Sequence, residues 1–362
     1  MRWLWPPQLK IMTKKIKSYA AIAADKPLEY YEFERRELRP HDIEFDVLYC
    51  GVCHSDVHQA RNEWGISVYP MVPGHEFVGR VTRIGKEVSK FKVDDMAGVG
   101  CMVDSCRKCA ACLAGLEQYC ERGMLQTYNA VDPIDGMKIQ GGYSQTEVID
   151  ENYALHIPKS MDPAKAAPLL CSGITTYSPL RHWKVGAGHK VGVVGIGGLG
   201  HMAVQYAKSF GAEVYMITTT SGKTSDAAEL GADGAIIATD MAAMKAQANS
   251  FDFLLSTIPQ SHDLQLYLNL LKQGGTLIIV GALTQIEPGI NGMNMAGRRL
   301  SIGTSLIGGI KETQEMLDYS AKNNIAPAIE LIKIEDINKA FDRMINKDVR
   351  YRFVIDLKAS FK

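Results

Sequence analysis

At 362 residues, with 46% apolar and 22% charged side chains, the chain is long enough for two ordinary domains rather than one core. A formal net charge of zero at neutral pH argues against nucleic acid or an anionic membrane as partner. No apolar run approaches the roughly 20 residues of a membrane helix. Pro6 and Pro7 stop the apolar start too early for a signal peptide, so residues 1–11 read as an extension, with Met12 as an alternative start.

In chain order, Ile43, Phe45, Val47 and Tyr49 alternate with Glu44, Asp46 and Leu48, which predicts a half-buried strand. A second strand follows Gly74-His75-Glu76, with Phe77, Gly79, Val81 and Arg83 on one face and a turn at Gly85. Asp94-Asp95 occupies a turn, and aspartate tolerates the left-handed backbone such a turn demands. Short strands punctuated by Gly and Pro run to about Tyr153, predicting a β-rich, barrel-like first domain.

After Pro158 strands and helices alternate. Strands are expected at 189–194, 213–217, 235–237, 251–255 and 276–280. Helices are expected at 199–210, 223–230 (ended by Gly231), near 240, and at 262–271. That alternation predicts a parallel sheet covered on both faces. Ile337, Ala340, Phe341, Met344 and Ile345 form a helical stripe, and Val349, Tyr351, Phe353 and Ile355 alternate in a closing strand. The expected organisation is discontinuous, with 1–160 and 306–362 in one domain and 161–305 in the other.

Five of the eight cysteines crowd into residues 101–120, which points to metal rather than disulfides and to a reducing cytoplasm. Cys106-x2-Cys109-x2-Cys112-x7-Cys120 can wrap one tetrahedral zinc with every position closed, a structural site, with Arg107 and Lys108 offsetting its charge. Cys101 lies outside that run and reads as a buried apolar residue.

A second constellation spans Cys50 to Glu76. Cys53 and His75 are candidate ligands of a catalytic zinc. Cys171, in Pro168-Leu-Leu-Cys-Ser-Gly-Ile-Thr-Thr-Tyr at the domain junction, is a candidate third ligand, and Glu76 could close the tetrahedron at rest. Spacing alone leaves open that these are ordinary buried cysteines and satisfied histidines. Cys50-x2-Cys53 could also be a redox pair, although its context is not thioredoxin-like.

Gly195-Ile-Gly197-Gly198-Leu199-Gly200 follows a strand and opens a helix, the context in which this glycine pattern cradles a dinucleotide pyrophosphate. An NAD site places Asp or Glu about 20 residues further on. Here that stretch is Thr218-Thr219-Thr220-Ser221-Gly222-Lys223, whose hydroxyls and lysine suit the 2′-phosphate of NADP(H).

Together, Cys-Gly-Val-Cys53-His-Ser-Asp, Gly74-His75-Glu76, the four-cysteine lobe, the Cys171 segment, the glycine loop and Tyr351-Arg-Phe-Val-Ile-Asp356 resemble the zinc-containing medium-chain alcohol dehydrogenases. Their cinnamyl-alcohol-dehydrogenase-like branch of broad-specificity NADP-dependent aldehyde reductases is the part resembled. The resemblance runs from about Lys15 to Leu357. It implies a GroES-like β-barrel catalytic domain joined to a Rossmann doubly wound cofactor domain, NADP(H), and two zinc ions per chain. It implies Cys53, His75 and Cys171 as catalytic zinc ligands with Glu76 exchangeable, and Asp56 as the carboxylate that orients the ligating histidine. Ser55 and His58 become a proton relay, while Thr218, Thr219 and Lys223 hold the 2′-phosphate. Thr175, Thr257, Gly281 and Ser305 line the cofactor cleft, Trp64 walls the substrate pocket, and His54 becomes a phosphate neighbour. Where plant lignin enzymes carry a tryptophan shortly before Ser-Tyr-Asn, this chain has Gln126 before Thr127-Tyr128-Asn129, which argues against specialisation for lignin precursors.

The reaction this implies is hydride transfer between NADPH and an aldehyde, in a homodimer joined through the cofactor domains. Two other readings stand beside it: an NAD-dependent sugar or polyol dehydrogenase of the same fold, and a non-catalytic nucleotide-binding protein with structural zinc only.

Overall fold

Two sheets organise the chain in the computed structural model, which describes residues 13–219, 222, 224–281, 285–286 and 289–361. Residues 1–11 and Thr220, Ser221 and Lys223 of the proposed phosphate segment lie outside the described residues. The alternating segments near the start pair into a sheet of seven strands. Its order is Leu155–His156, Met96–Val99, Phe77–Ile84, Asp42–Gly51, Arg352–Asp356, Ile329–Ile332, and Thr146–Asp150 also pairs with Asp42–Gly51. Thr146–Asp150 and Arg352–Asp356 share one edge of Asp42–Gly51, each antiparallel to half of it. Phe45 and Phe77 from adjacent strands stack at 6.0 Å, one of the cross-strand pairs that hold such a sheet in register. Asp94 takes φ 75°, the left-handed turn expected of it.

The second sheet has six strands, all parallel, in the order Gly234–Ile237, Glu213–Thr218, Lys190–Val194, Phe251–Ser256, Leu271–Ile279, Ser301–Thr304. The chain therefore lays down three strands outward from Lys190–Val194, returns, and builds the other three from Phe251–Ser256. That reversal opens a crevice at the carboxyl ends of the two central strands, where sheets of this class take their ligands. One apolar cluster joins both sheets, with Phe45 and Phe77 from the first and Val191 and Ile278 from the second. Between them lie the helix Pro163–Pro168, capped by the Asp162 side chain, a π-helical turn Leu169–Gly173, and the helix Ile174–His182. The helix Ile310–Lys322 buries Met316 and Leu317, and Ser320 Oγ meets Tyr206 Oη at 2.8 Å.

Three expected elements differ. The helix expected at 262–271 is only Leu264–Leu268, because Leu271 already starts the next strand, Leu271–Ile279. The helix expected from 223 spans Asp226–Leu230, although Gly231 ends it in the left-handed region (φ 81°) as expected. The closing strand begins at Arg352 rather than Val349. Among the described residues, no helix is long and apolar enough to cross a membrane.

Candidate active site

Cys53 caps the helix His54–Ala60 with extended backbone, so its thiol stands at the helix N-terminus while the helix carries Ser55, Asp56 and His58 away from it. Asp56 is fully buried and serves four partners. It accepts from Cys53 N at 3.0 Å, from Gly74 N at 3.1 Å and from Tyr143 Oη at 3.3 Å, and its Oδ1 lies 3.0 Å from His75 Nδ1. With Nδ1 so engaged, Nε2 of His75 is left for a metal. Cys171 arrives from the π-helical turn, a local widening of the helix that recurs at functional sites.

The donor atoms of Cys53, His75 and Cys171 all lie within 4.8 Å of one another. Zinc bound to sulfur and nitrogen at about 2.0–2.3 Å sets donors roughly 3.5–3.8 Å apart, so this trio fits such an ion and leaves a fourth position. Its thiols share one proton network: the Cys171 hydrogen bond, aided by His75, holds the Cys53 thiol well below its ordinary range despite burial, while the hydrogen bonds to Cys101 and Cys53 raise Cys171. Burial works against charge on His75, but the Asp56 carboxylate, together with Cys101 and Cys53, raises the imidazole well above its usual value.

Glu76, the expected fourth ligand, is not in that trio. It is fully buried and ion-paired with Arg352 through Oε1, while Oε2 has no hydrogen-bond partner. Cys101 packs against the apolar cluster but is only partly buried: it also lines the same cleft, and a hydrogen bond from Cys171 lowers its thiol.

Cys106, Cys109, Cys112 and Cys120 form a second group with all four sulfurs within 4.8 Å. Backbone N–H groups point at the sulfurs, Cys109 N to Cys106 Sγ at 3.3 Å and Cys106 N to Cys120 Sγ at 3.4 Å. Backbone donors, that of Cys112 first, pull the Cys109 thiol down to about 6. Four converging thiols with amide donors fit a closed zinc site. Arg107 does not offset their charge as expected. Its guanidinium is committed to Asp104 and Asp150, 2.9 Å from each, over the Tyr153 ring.

A cleft of about 580 Å³ runs from Cys53, His75 and Cys171 to the glycine loop. Gly195 has φ 85°, and a Cβ on Gly200 would lie 2.0 Å from Gly195 O, so both positions need glycine for the turn itself. A Cβ on Gly197 would meet nothing within 4 Å, leaving room for a ligand to approach the backbone, as a pyrophosphate must. Thr257 Oγ1 clamps the loop by donating to Gly195 O at 2.6 Å. Gly198, Leu199, Thr175, Thr218, Thr219, Gly281 and Ser305 also face this cleft. Gly200 sits behind the turn, and Lys223 lies outside the described residues.

Ser55 Oγ is 3.7 Å from Cys53 Sγ. Further out, His58 Nδ1 pairs closely with Glu63 and its ring packs 5.3 Å from Trp64, which lines the cleft; His54 lines it too. Sequence reasoning missed Arg352, Tyr143 and Glu63. Arg352 had a signal, being a charge that opens a strand with an apolar centre, and a Cβ on Gly198 would come within 2.8 Å of its side chain. It thus touches both Glu76 and the glycine loop.

A family model for the alcohol dehydrogenase GroES-like domain matches residues 39–159, and one for zinc-binding dehydrogenases matches 198–322. NADP-dependent alcohol dehydrogenase C 1 of Mycolicibacterium smegmatis is 49% identical over 342 residues, 94% of this chain and 97% of its own. Aldehyde reductase YahK of Escherichia coli is 49% identical over 343 residues, 94% and 98%. The crystal structure of CAD from Helicobacter pylori complexed with NADP(H) superposes with a TM-score of 0.91 at 42% identity, covering 97% of this chain and 100% of that one. Fold, metal-competent clusters, glycine loop and relatives agree: the chain belongs to the zinc-containing medium-chain alcohol dehydrogenases, an oxidoreductase family.

Proposed function

We propose that this enzyme reduces aldehydes to primary alcohols with NADPH, reversibly, taking up one proton per hydride transferred. The observation that carries the reading is the single cleft holding Cys53, His75 and Cys171 at one end and the open Gly197 backbone at the other. Cys53, His75 and Cys171 would hold a zinc ion, which supplies Lewis acidity toward a carbonyl oxygen, while NADP(H) supplies or accepts the hydride. Cys106, Cys109, Cys112 and Cys120 would hold a second, structural zinc. Asp56 fixes the ring of His75, with Tyr143 and the Gly74 amide fixing Asp56 in turn. Glu76, with one oxygen committed to Arg352 and the other unpartnered, is the reserve ligand.

Ser55 stands beside the metal trio and holds the proton that an alkoxide needs. His58, paired with Glu63 at the half-exposed outer end of the same helix, passes protons to and from solvent. Thr218 and Thr219 keep a carboxylate out of the ribose position, which supports NADP(H) over NAD. Trp64 walls the substrate end.

We assign 1–160 and 306–362 to the catalytic unit and 161–305 to the cofactor unit. The strand Ser301–Thr304, at the edge of the six-stranded sheet, joins two copies in a homodimer. Eight cysteines without a disulfide support a cytoplasmic location.

NADPH oxidation with aromatic, aliphatic and sugar aldehydes, repeated with NADH, tests this reading, and a preference for NADH would overturn the cofactor assignment. Cys171→Ala should lower zinc from two per chain to one and abolish turnover while NADPH still binds. Retained turnover would overturn the metal assignment.

A further inference from the structure

One wall of the cleft is tied to the four-cysteine lobe. Ser305, Leu306 and Ile307 line the cleft just past the edge strand Ser301–Thr304, and the chain then enters the helix Ile310–Lys322. Ile307 takes φ 37°, a left-handed backbone that a β-branched residue adopts only where its surroundings impose it. The helix starts at Gly309, which has no side chain with which to cap it.

The restraint comes from the lobe. Tyr119 Oη accepts from Leu306 N at 3.2 Å, and Glu117 Oε2 accepts from Ile310 N at 3.1 Å. Between these two bonds the backbones touch, since a Cβ on Gly309 would lie 1.9 Å from Gly115 O. The Glu117 carboxylate thus does from outside what a capping residue does from within, and its charge suits the positive end of the helix. Further along, the same helix is anchored on the cofactor unit, where Tyr177 Oη donates to Glu315 Oε1 at 2.9 Å. Gly115, Glu117 and Tyr119 all lie between Cys112 and Cys120, two of the four converging thiols, so the grip on the wall starts from the most tightly gathered part of the lobe.

We propose that Glu117 and Tyr119 are positioning residues for hydride transfer: they tie the wall at 305–307 to the four-cysteine lobe and so fix where the cofactor rests in the cleft. Reacting carbons must come within about 3–3.5 Å, and a wall that shifts by about 1 Å spoils that approach. The inference rests on the reading of the cleft as an NADP(H) site.

The test measures NADPH affinity by fluorescence titration and single-turnover reduction of the best aldehyde in the panel above, per zinc-loaded chain. Tyr119→Phe and Glu117→Ala should each slow hydride transfer and weaken NADPH binding by about three- to tenfold, as expected for one lost hydrogen bond. The double variant should lose more than either, with zinc still at two per chain. Glu117→Gln, which keeps an acceptor for Ile310 N, should retain most of the rate. Tyr119 is 47% exposed, so Tyr119→Phe carries the test alone if Glu117→Ala does not fold. An unchanged rate and affinity in Tyr119→Phe and the double variant, or a loss that only follows the loss of zinc, would overturn the proposal and leave the proposed function intact. Failure of the unmodified enzyme to reduce any aldehyde of the panel with NADPH would overturn both.

Discussion

Glu147 is 3% exposed and faces Arg35, itself 8% exposed, across 2.5 Å. Each keeps one buried polar atom without a partner, Glu147 Oε2 and Arg35 Nε. Burial therefore outweighs the ion pair and pushes the Glu147 carboxyl up to about 7, against an ordinary 4.5. The unfolded chain releases this proton first. The stabilising contribution is therefore complete below about 4.5 and is lost as pH rises through about 7. Glu147→Gln removes the titration and keeps an oxygen for Arg35. In thermal melts from pH 5 to 8 the variant should gain on the unmodified protein as pH rises, by on the order of 1–3 kcal/mol across the range. A gap that stays constant with pH would contradict this.

The four thiols of residues 106–120 were legible in the sequence because their chemistry is local, and the distant Cys171 was legible through the motif around it. Residues with neither a close neighbour nor a motif were not. Cys101 read as apolar because Cys171, which changes its environment, is 70 residues away. Arg107 was credited to the neighbouring sulfurs, but Asp150 claims it from the end of the strand Thr146–Asp150. Tyr143 carries no sequence signal, since a phenol acquires a role only through what the fold sets opposite it.

At the scale of elements, the glycine loop separates two requirements that its pattern merges. Gly200 is needed for the turn, because its Cβ would meet Gly195 O, whereas Gly197 faces open cleft. Gly200→Ala should therefore lower both the melting temperature and NADPH affinity. Gly197→Ala should leave the melting temperature nearly unchanged and weaken NADPH binding by about tenfold or more, measured by fluorescence titration. A Gly197→Ala protein that binds NADPH normally would show that the pyrophosphate lies elsewhere. The same scale shows where sequence pattern runs out. The strands of the parallel sheet were legible from apolar runs between turns. The expected helix at 262–271 ran too long because Leu270 and Leu271 fit a helical stripe as well as a buried strand, and only pairing with Phe251 decides between them.

At the scale of the whole molecule, the proposed dimer can be checked by sedimentation. The protein should migrate as twice the 39.9 kDa of one chain. Ile302→Pro, placed in the edge strand Ser301–Thr304, should shift it toward the monomer. A dimer unaffected by that proline would mean that the copies join elsewhere. The division into two units was legible as a change from alternating strands to alternating strand and helix. The return of the late segment to the first sheet was legible only as a change of style, and strand order makes it concrete.

That return has a consequence in time. Val354 pairs with Gly51 about 300 residues earlier in the chain, and Arg352 is the partner of Glu76. A ribosome adding about 5–20 residues per second makes the strand Asp42–Gly51 some 15–60 s before its edge partner exists. During that interval the six-stranded sheet can assemble from consecutive strands. The first sheet meanwhile waits with half of one edge unpaired and Glu76 without its counter-ion. The nascent chain thus exposes its future metal end longest, and the late strand Arg352–Asp356 is the one that seals it.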